Sequence, residues 1–250
     1  MLETRDLTIR FGGHVAVDAV SATFKPDELT AIVGPNGAGK TTYFNLISGQ
    51  LKATAGTVRL NGQDMTRLSV AERTARGIGR AFQLTNLFPN LSVRENVRLV
   101  VQSRKGEGFR LFTLARSLRH LEDEADAILS RVNLAGLADH KVSALSHGDQ
   151  RKLEVALMIA LEPDVFMFDE PTAGMSIDEA PVILDLIAHL KREGGKIILL
   201  VEHKMDVIRT LADRIIVLHN GQLAADGKPE EVMKSAVVQE AYLGREIEHV

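Results

Sequence analysis

A short glycine-rich segment near the start of the chain carries the clearest chemical signal in the sequence. It fits the spacing G-x-x-x-x-G-K-[ST] and consists of Gly34, Pro35, Asn36, Gly37, Ala38, Gly39, Lys40, Thr41 and Thr42. Glycine lets backbone N–H groups approach an anion closely, and a helix that begins at the lysine adds the positive end of its dipole. The spacing therefore predicts a loop that binds a nucleoside triphosphate, with Lys40 at the β- and γ-phosphates and Thr41 at Mg²⁺.

The segments on either side of the loop decide between a phosphate site and an ordinary glycine-rich turn beside a surface lysine. Residues 29–33 form an apolar run, as expected for a buried strand that ends at the first glycine. After the lysine, Phe44 and Ile47 begin an apolar face at helical spacing, and Gly49 can end that helix. A strand before the loop and a helix after it favour the phosphate site.

A second apolar run, residues 165–168, ends in the two carboxylates Asp169 and Glu170. Taken alone, this run is typical of a buried strand with an acidic turn. With a phosphate loop upstream, we expect the strand to lie beside the strand that bears the loop. Asp169 would then bind Mg²⁺, and Glu170 could orient and deprotonate an attacking water near the γ-phosphate.

The composition limits the other kinds of chemistry. The chain has 250 residues, of which 45% are hydrophobic and 25% charged, and its net charge of −3 predicts no overall attraction to nucleic acid. The absence of cysteine excludes a disulfide framework and thiolate chemistry. No apolar run approaches about 18 residues and the N-terminus lacks a secretory signal, so we expect any membrane role to come through a partner.

The hydrophobic periodicity changes along the chain and predicts an α/β organisation. Alternating patterns at residues 7–11, 20–24 and 57–60 indicate half-buried antiparallel strands around the phosphate loop. Between residues 92 and 145 the apolar positions recur at helical spacing. Beyond residue 165, strands and helices alternate again, which predicts a parallel sheet.

Four further positions carry a resemblance to a known family. Residues 145–150 read Leu-Ser-His-Gly-Asp-Gln and are similar to the signature loop of the ATP-binding-cassette (ABC) superfamily. Gln83, His203 and Phe11 fall where that family has its Q-loop glutamine, its switch histidine and the aromatic residue that stacks on adenine. Together with the phosphate loop and the carboxylates, these motifs follow the family order and cover nearly the whole chain.

The resemblance implies a fold and a domain organisation. The fold would be the P-loop NTPase fold of ABC ATPases, with a RecA-like parallel-sheet core, an antiparallel β subdomain and a helical subdomain. Residues 1–250 would form a single nucleotide-binding domain. The ATPase core with its β subdomain would comprise about residues 1–83 and 162–250, and the helical subdomain about residues 84–161.

The resemblance also implies roles for the remaining site residues, with ATP and Mg²⁺ as cofactors. Ser146 and Gly148 would bind the γ-phosphate, His203 would sense it, and Gln83 would contribute a contact to Mg²⁺ or water. Phe11 would stack on adenine, although a core phenylalanine that closes its strand is an alternative. The chain has one phosphate loop and one signature loop, which in this family face each other across two subunits, so an active unit would need two chains.

Departures from the family pattern point to one subgroup. The usual signature is Leu-Ser-Gly-Gly-Gln, but the third and fifth positions here are His147 and Asp149. Ser176 stands where many relatives carry an aspartate. Together with residues 77–83 and 201–206, these features resemble the larger ATPase subunit of branched-chain amino acid importers. The ATPases of urea and amide importers are closely similar, and the lipopolysaccharide-export ATPase is a more distant relative.

This resemblance implies two membrane permeases, a second ATP-binding subunit (a paralogue or a second copy) and, indirectly, a periplasmic solute-binding protein as partners. The chain would lie at the cytoplasmic face of the inner membrane. An apolar cluster around Gln83 could receive a permease helix or could be the subdomain's own core. Its members are Phe82, Leu84, Leu87, Phe88 and Leu91. The alternative functions are a soluble ABC ATPase that acts on DNA or the ribosome, and a binding module without catalysis.

Overall fold

Ten strands in the described part of the chain form two sheets. The computed structural model describes residues 1–81, 87–107, 119–175 and 179–235. The strands are β1 (Leu2–Phe11), β2 (His14–Phe24), β3 (Glu28–Val33), β4 (Ala55–Leu60), β5 (Gln63–Asp64), β6 (Ile78–Ala81), β7 (Val165–Asp169), β8 (Ile197–Val201), β9 (Arg214–His219) and β10 (Gln222–Gly227). A four-stranded antiparallel sheet has the order β2-β1-β4-β5, and a six-stranded sheet has the order β10-β9-β3-β8-β7-β6.

Eight α-helices accompany these strands in the same described ranges. They are α1 (Lys40–Ser48), α2 (Val70–Ala75), α3 (Val93–Arg104), α4 (Arg119–Arg131), α5 (His147–Leu161), α6 (Ala180–Glu193), α7 (Met205–Leu211) and α8 (Pro229–Val232). None of them is long and apolar enough to cross a bilayer.

The six-stranded sheet explains why distant motifs can meet. Strands β6, β7, β8, β3 and β9 run parallel, and only β10 is antiparallel to its neighbour. The central strands β3, β7 and β8 are continuous apolar runs because both faces of a parallel sheet are covered. Since parallel strands end at the same edge, the segments that follow β3, β7 and β8 lie together there. These segments carry the predicted phosphate loop, the carboxylate pair Asp169 and Glu170, and His203.

The antiparallel sheet and helix α1 share one apolar core. Leu7 and Val20, on β1 and β2, are fully buried in the same cluster as Phe44 and Ile47 of α1. The alternation of apolar and polar residues along β1 and β2 leaves one face for this core. The predicted antiparallel strands are therefore confirmed, and they support the helix that carries the phosphate loop.

Helices α3, α4 and α5 lie between β6 and β7 in the chain and form a second apolar cluster with one face of the sheet. Their buried residues include Val97 and Val101 on α3, Leu121 and Leu129 on α4, and Leu153 on α5. The helical periodicity predicted for this region is confirmed where the structure describes it. The proposed division into an ATPase core and a helical subdomain stays a prediction.

Candidate nucleotide-binding site

The glycine-rich loop is fixed by steric contacts that only glycine allows. Gly34 has φ 152° and Gly39 has φ 96°. A Cβ atom on Gly34 would lie 2.2 Å from the carbonyl oxygen of Leu218, and one on Gly39 would lie 2.5 Å from that of Ala16. Strands β9 and β2 therefore hold the loop at contact distance, and α1 begins directly after it at Lys40.

The ammonium group of Lys40 lies inside the loop. Its Nζ donates to the carbonyl oxygens of Gly34 at 2.7 Å and Pro35 at 3.0 Å, and the residue is buried. Burial lowers the pKa of Lys40, while the negative charges of Glu170 and Asp169 act in the opposite direction. A cation held by two carbonyl groups in this position can turn towards a phosphate placed in the loop.

A cavity of about 400 Å³ lies over the loop. Its described lining residues are Phe11, His14, Ala16, residues 36–42, Glu170 and His203. The side chain of Phe11 is half exposed, because β1 ends at this residue and a two-glycine turn follows. Phe11 is therefore not a core residue, and its stacking on adenine stays a prediction.

The carboxylate pair lies at the end of β7, as the sequence predicts. Glu170 follows the strand with φ 49°, and its backbone N–H donates to the carbonyl oxygen of Val201 at 2.9 Å. Its Oε1 lies 2.8 Å from Nε2 of His203, which follows β8. The neighbouring strands thus bring a carboxylate and an imidazole together at the cavity.

Asp169 is paired with an arginine that the sequence analysis did not identify. Nη2 of Arg80, on β6, donates to Oδ2 of Asp169 at 2.6 Å, and both side chains are almost fully buried. Neither β6 nor a role for Arg80 was predicted. The available signal was a charged residue inside a short, mainly apolar segment.

Glu202 is a second residue that the sequence analysis missed. It is buried between the carboxylate segment and the switch histidine, where its Oε1 accepts a hydrogen bond from Oγ1 of Thr172 at 2.6 Å. Its Oε2 accepts from the backbone N–H of His203 at 3.0 Å. The sequence signals were an acidic residue directly after the apolar strand β8 and the family resemblance of residues 201–206, neither of which assigned a role to Glu202.

The signature residues form the start of α5, away from the cavity. Ser146 is the N-cap, and its Oγ accepts from the backbone N–H of Asp149 at 3.1 Å and donates to a carboxylate oxygen of the same residue at 2.8 Å. Burial opposes ionisation of Asp149, but hydrogen bonds from Lys152 and Ser146 outweigh it and lower the pKa of Asp149. Ser146 and Gly148 are not among the described residues that line the cavity.

Gln83, a predicted Mg²⁺ contact, and Ser176, a predicted departure from the family pattern, lie outside the described residues. The remaining candidate Mg²⁺ ligands are the hydroxyl of Thr41, in the first turn of α1, and the carboxylate of Asp169. In the part of the chain that the structure describes, no group of three or more His, Asp or Glu side chains could hold a metal ion. Oxygen donors in small number fit Mg²⁺, because this ion usually takes one or two protein ligands and completes its shell with phosphate and water.

Comparison with known proteins decides the family. A model of the ABC transporter family matches residues 17–173, which is more than half of the chain. The chain belongs to the ABC transporter family. A second model, for branched-chain amino acid ATP-binding cassette transporters, matches residues 222–248. The predicted ABC ATPase fold and ATP-hydrolysing class are therefore confirmed.

Individual ABC proteins resemble the chain over nearly its full length. The high-affinity branched-chain amino acid transport ATP-binding protein BraF of Pseudomonas aeruginosa is 36% identical over 250 residues, with 98% of both chains covered. The ADP conformation of the cassette MJ1267 has a TM-score of 0.82 at 29% identity, with 98% of both chains covered. The cassette MJ0796, in a dimeric post-hydrolysis state bound to ADP and Pi, has a TM-score of 0.77 at 29% identity, with 92% of this chain and 99% of that chain covered.

Proposed function

We propose that this ABC ATPase energises an importer for branched-chain amino acids. The observation that carries the proposal is the match of residues 222–248 to the model of branched-chain amino acid cassette transporters, in a chain whose glycine-rich loop, Glu170 and His203 line one cavity. The similarity to BraF over nearly the full length points to the same solute class.

The residues that line the cavity support a specific mode of ATP binding. Backbone N–H groups of residues 37–41 and the ammonium of Lys40 would hold the phosphates. The half-exposed ring of Phe11 offers a face on which adenine can stack. Thr41 and Asp169, together with Gln83, would hold the Mg²⁺, which when bound neutralises charge on the phosphates.

Hydrolysis would depend on the contact between Glu170 and His203. The carboxylate of Glu170 would orient a water molecule and accept its proton, which is the usual task of a general base in phosphoryl transfer. His203 would hydrogen-bond to the terminal phosphate and hold the carboxylate in place. The 2.8 Å contact between the two side chains supports this joint role.

A second subunit would complete the site. Ser146 and Gly148 are described residues that do not line the cavity of their own chain. The MJ0796 cassette is dimeric in a state bound to ADP and Pi. We infer that the start of α5 from a second ATP-binding subunit closes over the phosphates, and that this subunit is a paralogue or a second copy.

A groove beside α5 is the proposed contact with the permeases. A cavity of about 440 Å³ is lined by Leu87, Pro89, Val142, Ser143, His147, Gln150, Arg151 and Glu154. Phe88, next to it in sequence, exposes about half of its surface, whereas Phe82 and Leu84 of the predicted apolar cluster lie outside the described residues. In a complex with two permeases, binding through this groove would place the chain at the cytoplasmic face of the membrane. A periplasmic binding protein would lie on the opposite side.

The test is reconstitution of the chain with the permeases that co-purify with it. We expect uptake of leucine, isoleucine and valine that depends on ATP and is abolished by Lys40→Ala. Uptake of urea or short amides instead would contradict the solute class but retain the importer. Co-purification with ribosomes or DNA and no permease would contradict the importer itself.

A further inference from the structure

We propose that Arg80 is a positioning residue that ties the phosphate-loop helix α1 to Asp169 and thereby sets the affinity of the site for Mg²⁺. This inference rests on the proposed ATP and Mg²⁺ site. Arg80 belongs neither to the phosphate loop nor to the residues that line the cavity. Arg80 contacts the site only through other side chains. Replacing it would therefore change the positions of those side chains relative to each other.

One half of the Arg80 guanidinium holds the carboxylate at the end of β7. Nη2 donates to Oδ2 of Asp169 at 2.6 Å, and the two side chains are 4% and 7% exposed. Strand β6 pairs in parallel with β7, with Arg80 opposite Met167 in the register. Solvent screening is weak at such burial, so this ion pair constrains Asp169 more strongly than a surface pair would.

The other half of the guanidinium is hydrogen-bonded to helix α1 and to Gln50, two residues after its end. Nη1 donates to Oδ1 of Asn45 at 2.6 Å, to Oγ of Ser48 at 3.0 Å and to Oε1 of Gln50 at 3.0 Å. The guanidinium carbon also lies 5.5 Å from the ring centroid of Phe44. Arg80 therefore joins α1 to β7 through one rigid, planar group.

This link connects the elements that carry the two described candidate Mg²⁺ ligands. Thr41 is in the first turn of α1, and Asp169 ends β7. A loosened link would let the carboxylate shift relative to the hydroxyl, and Mg²⁺ requires near-ideal octahedral geometry. Residues that orient metal ligands in this way typically change metal affinity about 10- to 100-fold when they are replaced.

Arg80 has, within the described part of the chain, an unsatisfied buried hydrogen-bond donor, which is unfavourable for folding and supports a role beyond packing. Nε of Arg80 is buried and, among the described residues, has no hydrogen-bond partner. An apolar side chain of similar length would avoid this unsatisfied donor, but it would leave the buried carboxylate of Asp169 without its cation and the acceptors on α1 without a donor. The arginine satisfies Asp169 and α1 at the expense of its own Nε.

The test compares Arg80→Lys with Arg73→Lys in the full-length protein. Arg73 is a matched control because it is a buried arginine that also holds α1, through the carbonyl oxygens of Leu46 and Ile47, and within the described residues it is not paired with Asp169. Binding of a fluorescent ATP analogue would be measured in EDTA and during a Mg²⁺ titration, together with Tm. A lysine keeps the charge, but its single ammonium cannot span both sets of acceptors.

We expect Arg80→Lys to bind the analogue in EDTA like the wild type and to need about 10-fold more Mg²⁺ for the metal-dependent gain in affinity. Arg73→Lys should lower Tm and leave the Mg²⁺ requirement unchanged. The double variant Asn45→Ala/Ser48→Ala keeps the ion pair but weakens the anchor on α1, so it should also raise the Mg²⁺ requirement. If Arg80→Lys does not fold, the Mg²⁺ titration of this double variant tests the proposal instead.

Unchanged Mg²⁺ midpoints in Arg80→Lys and in the double variant, with a lower Tm alone, would overturn the proposal and leave Arg80 as a packing residue. A wild-type chain that binds no analogue under any condition would overturn the proposed function as well. The two failures are therefore distinguishable in the same titration.

Discussion

Nε2 of His203 lies 2.8 Å from Oε1 of Glu170, although the two residues are 33 positions apart in the chain. They meet because β7 and β8 are neighbours in the parallel sheet and each residue follows the end of its strand. Both side chains are about two-fifths exposed and line the cavity over the phosphate loop. The contact joins a candidate general base to a candidate phosphate sensor.

Replacement of Glu170 by Gln keeps the size of the side chain but removes the base. We expect ATP hydrolysis to fall by about 10²- to 10⁴-fold, while ATP still binds and holds two subunits together. Light scattering should detect an ATP-dependent dimer of Glu170→Gln, and Lys40→Ala should abolish it by weakening phosphate binding. A Glu170→Gln protein that stays monomeric with ATP and its natural partners would contradict the two-subunit site.

Glu202 is hydrogen-bonded to two residues of the same region, Thr172 and His203. Its buried carboxylate accepts from Thr172 and from the backbone N–H of His203, so Glu202→Ala leaves the buried hydroxyl of Thr172 and the partly buried N–H of His203 without this acceptor. We expect a loss on the order of 2 kcal/mol in the free energy of unfolding and a lower turnover because His203 is less well held. Glu202→Gln keeps an acceptor and should lie close to wild type. Thermal unfolding and ATPase assays measure both effects, and an unchanged Glu202→Ala protein would refute the assignment.

Gly148 has no side chain, which allows Glu179 to approach the first turn of α5 closely. A Cβ atom at this position would lie 2.1 Å from Oε1 of Glu179, the residue that precedes α6. Because the end of a glutamate side chain can move, Gly148→Ala should change Tm little. The added methyl group should nevertheless impair ATP-dependent dimerisation and reduce turnover. Gly136→Ala, where a Cβ meets nothing within 4 Å, is the control and should leave both unchanged. Equal ATPase activities of Gly148→Ala and Gly136→Ala would contradict a role for the signature loop in bringing the two subunits together.

The parts of the site that the sequence predicted are those whose geometry is local. The phosphate loop is specified within nine consecutive residues, since the spacing from Gly34 to Lys40 fixes both the turn and the start of α1. The end of β7 was predictable for the same reason, because an apolar run followed by Asp169 and Glu170 marks the edge of a buried strand. Helix α6 (Ala180–Glu193) likewise lies where the alternation of strands and helices beyond residue 165 was predicted.

The parts that were missed depend on which strands become neighbours. The contacts of Arg80 require β6 to lie beside β7, but β6 has only four residues and includes Gly79, so its pattern is too short to indicate a strand. The role of Glu202 likewise requires β7 and β8 to be adjacent. For Phe11, the alternating pattern of β1 could not separate a core position from an exposed strand end.

The final relationship concerns charge in the groove beside α5. Glu154 is almost fully buried, and its carboxylate accepts from Arg151 at 2.9 Å. Burial raises the pKa of Glu154, and the arginine only partly opposes this effect. The folded chain therefore binds the proton of Glu154 more tightly than the unfolded chain does. As a result, the contribution of Glu154 to stability falls as pH rises from the ordinary glutamate pKa through the raised value.

Glu154→Gln removes this pH-dependent cost because the amide stays neutral. We expect the Tm of the variant to exceed that of the wild type at about pH 8, where the ionised carboxylate of the wild type is held in a buried site. The difference should shrink as pH falls towards the ordinary glutamate pKa. Glu95→Gln is the matched control, because Glu95 pairs with Arg98 at the same helical spacing but its own side chain is 42% exposed. The Tm of Glu95→Gln should not rise. Thermal unfolding across a pH series measures both variants, and a Glu154→Gln protein less stable than the wild type at pH 8 would show that the ion pair outweighs burial.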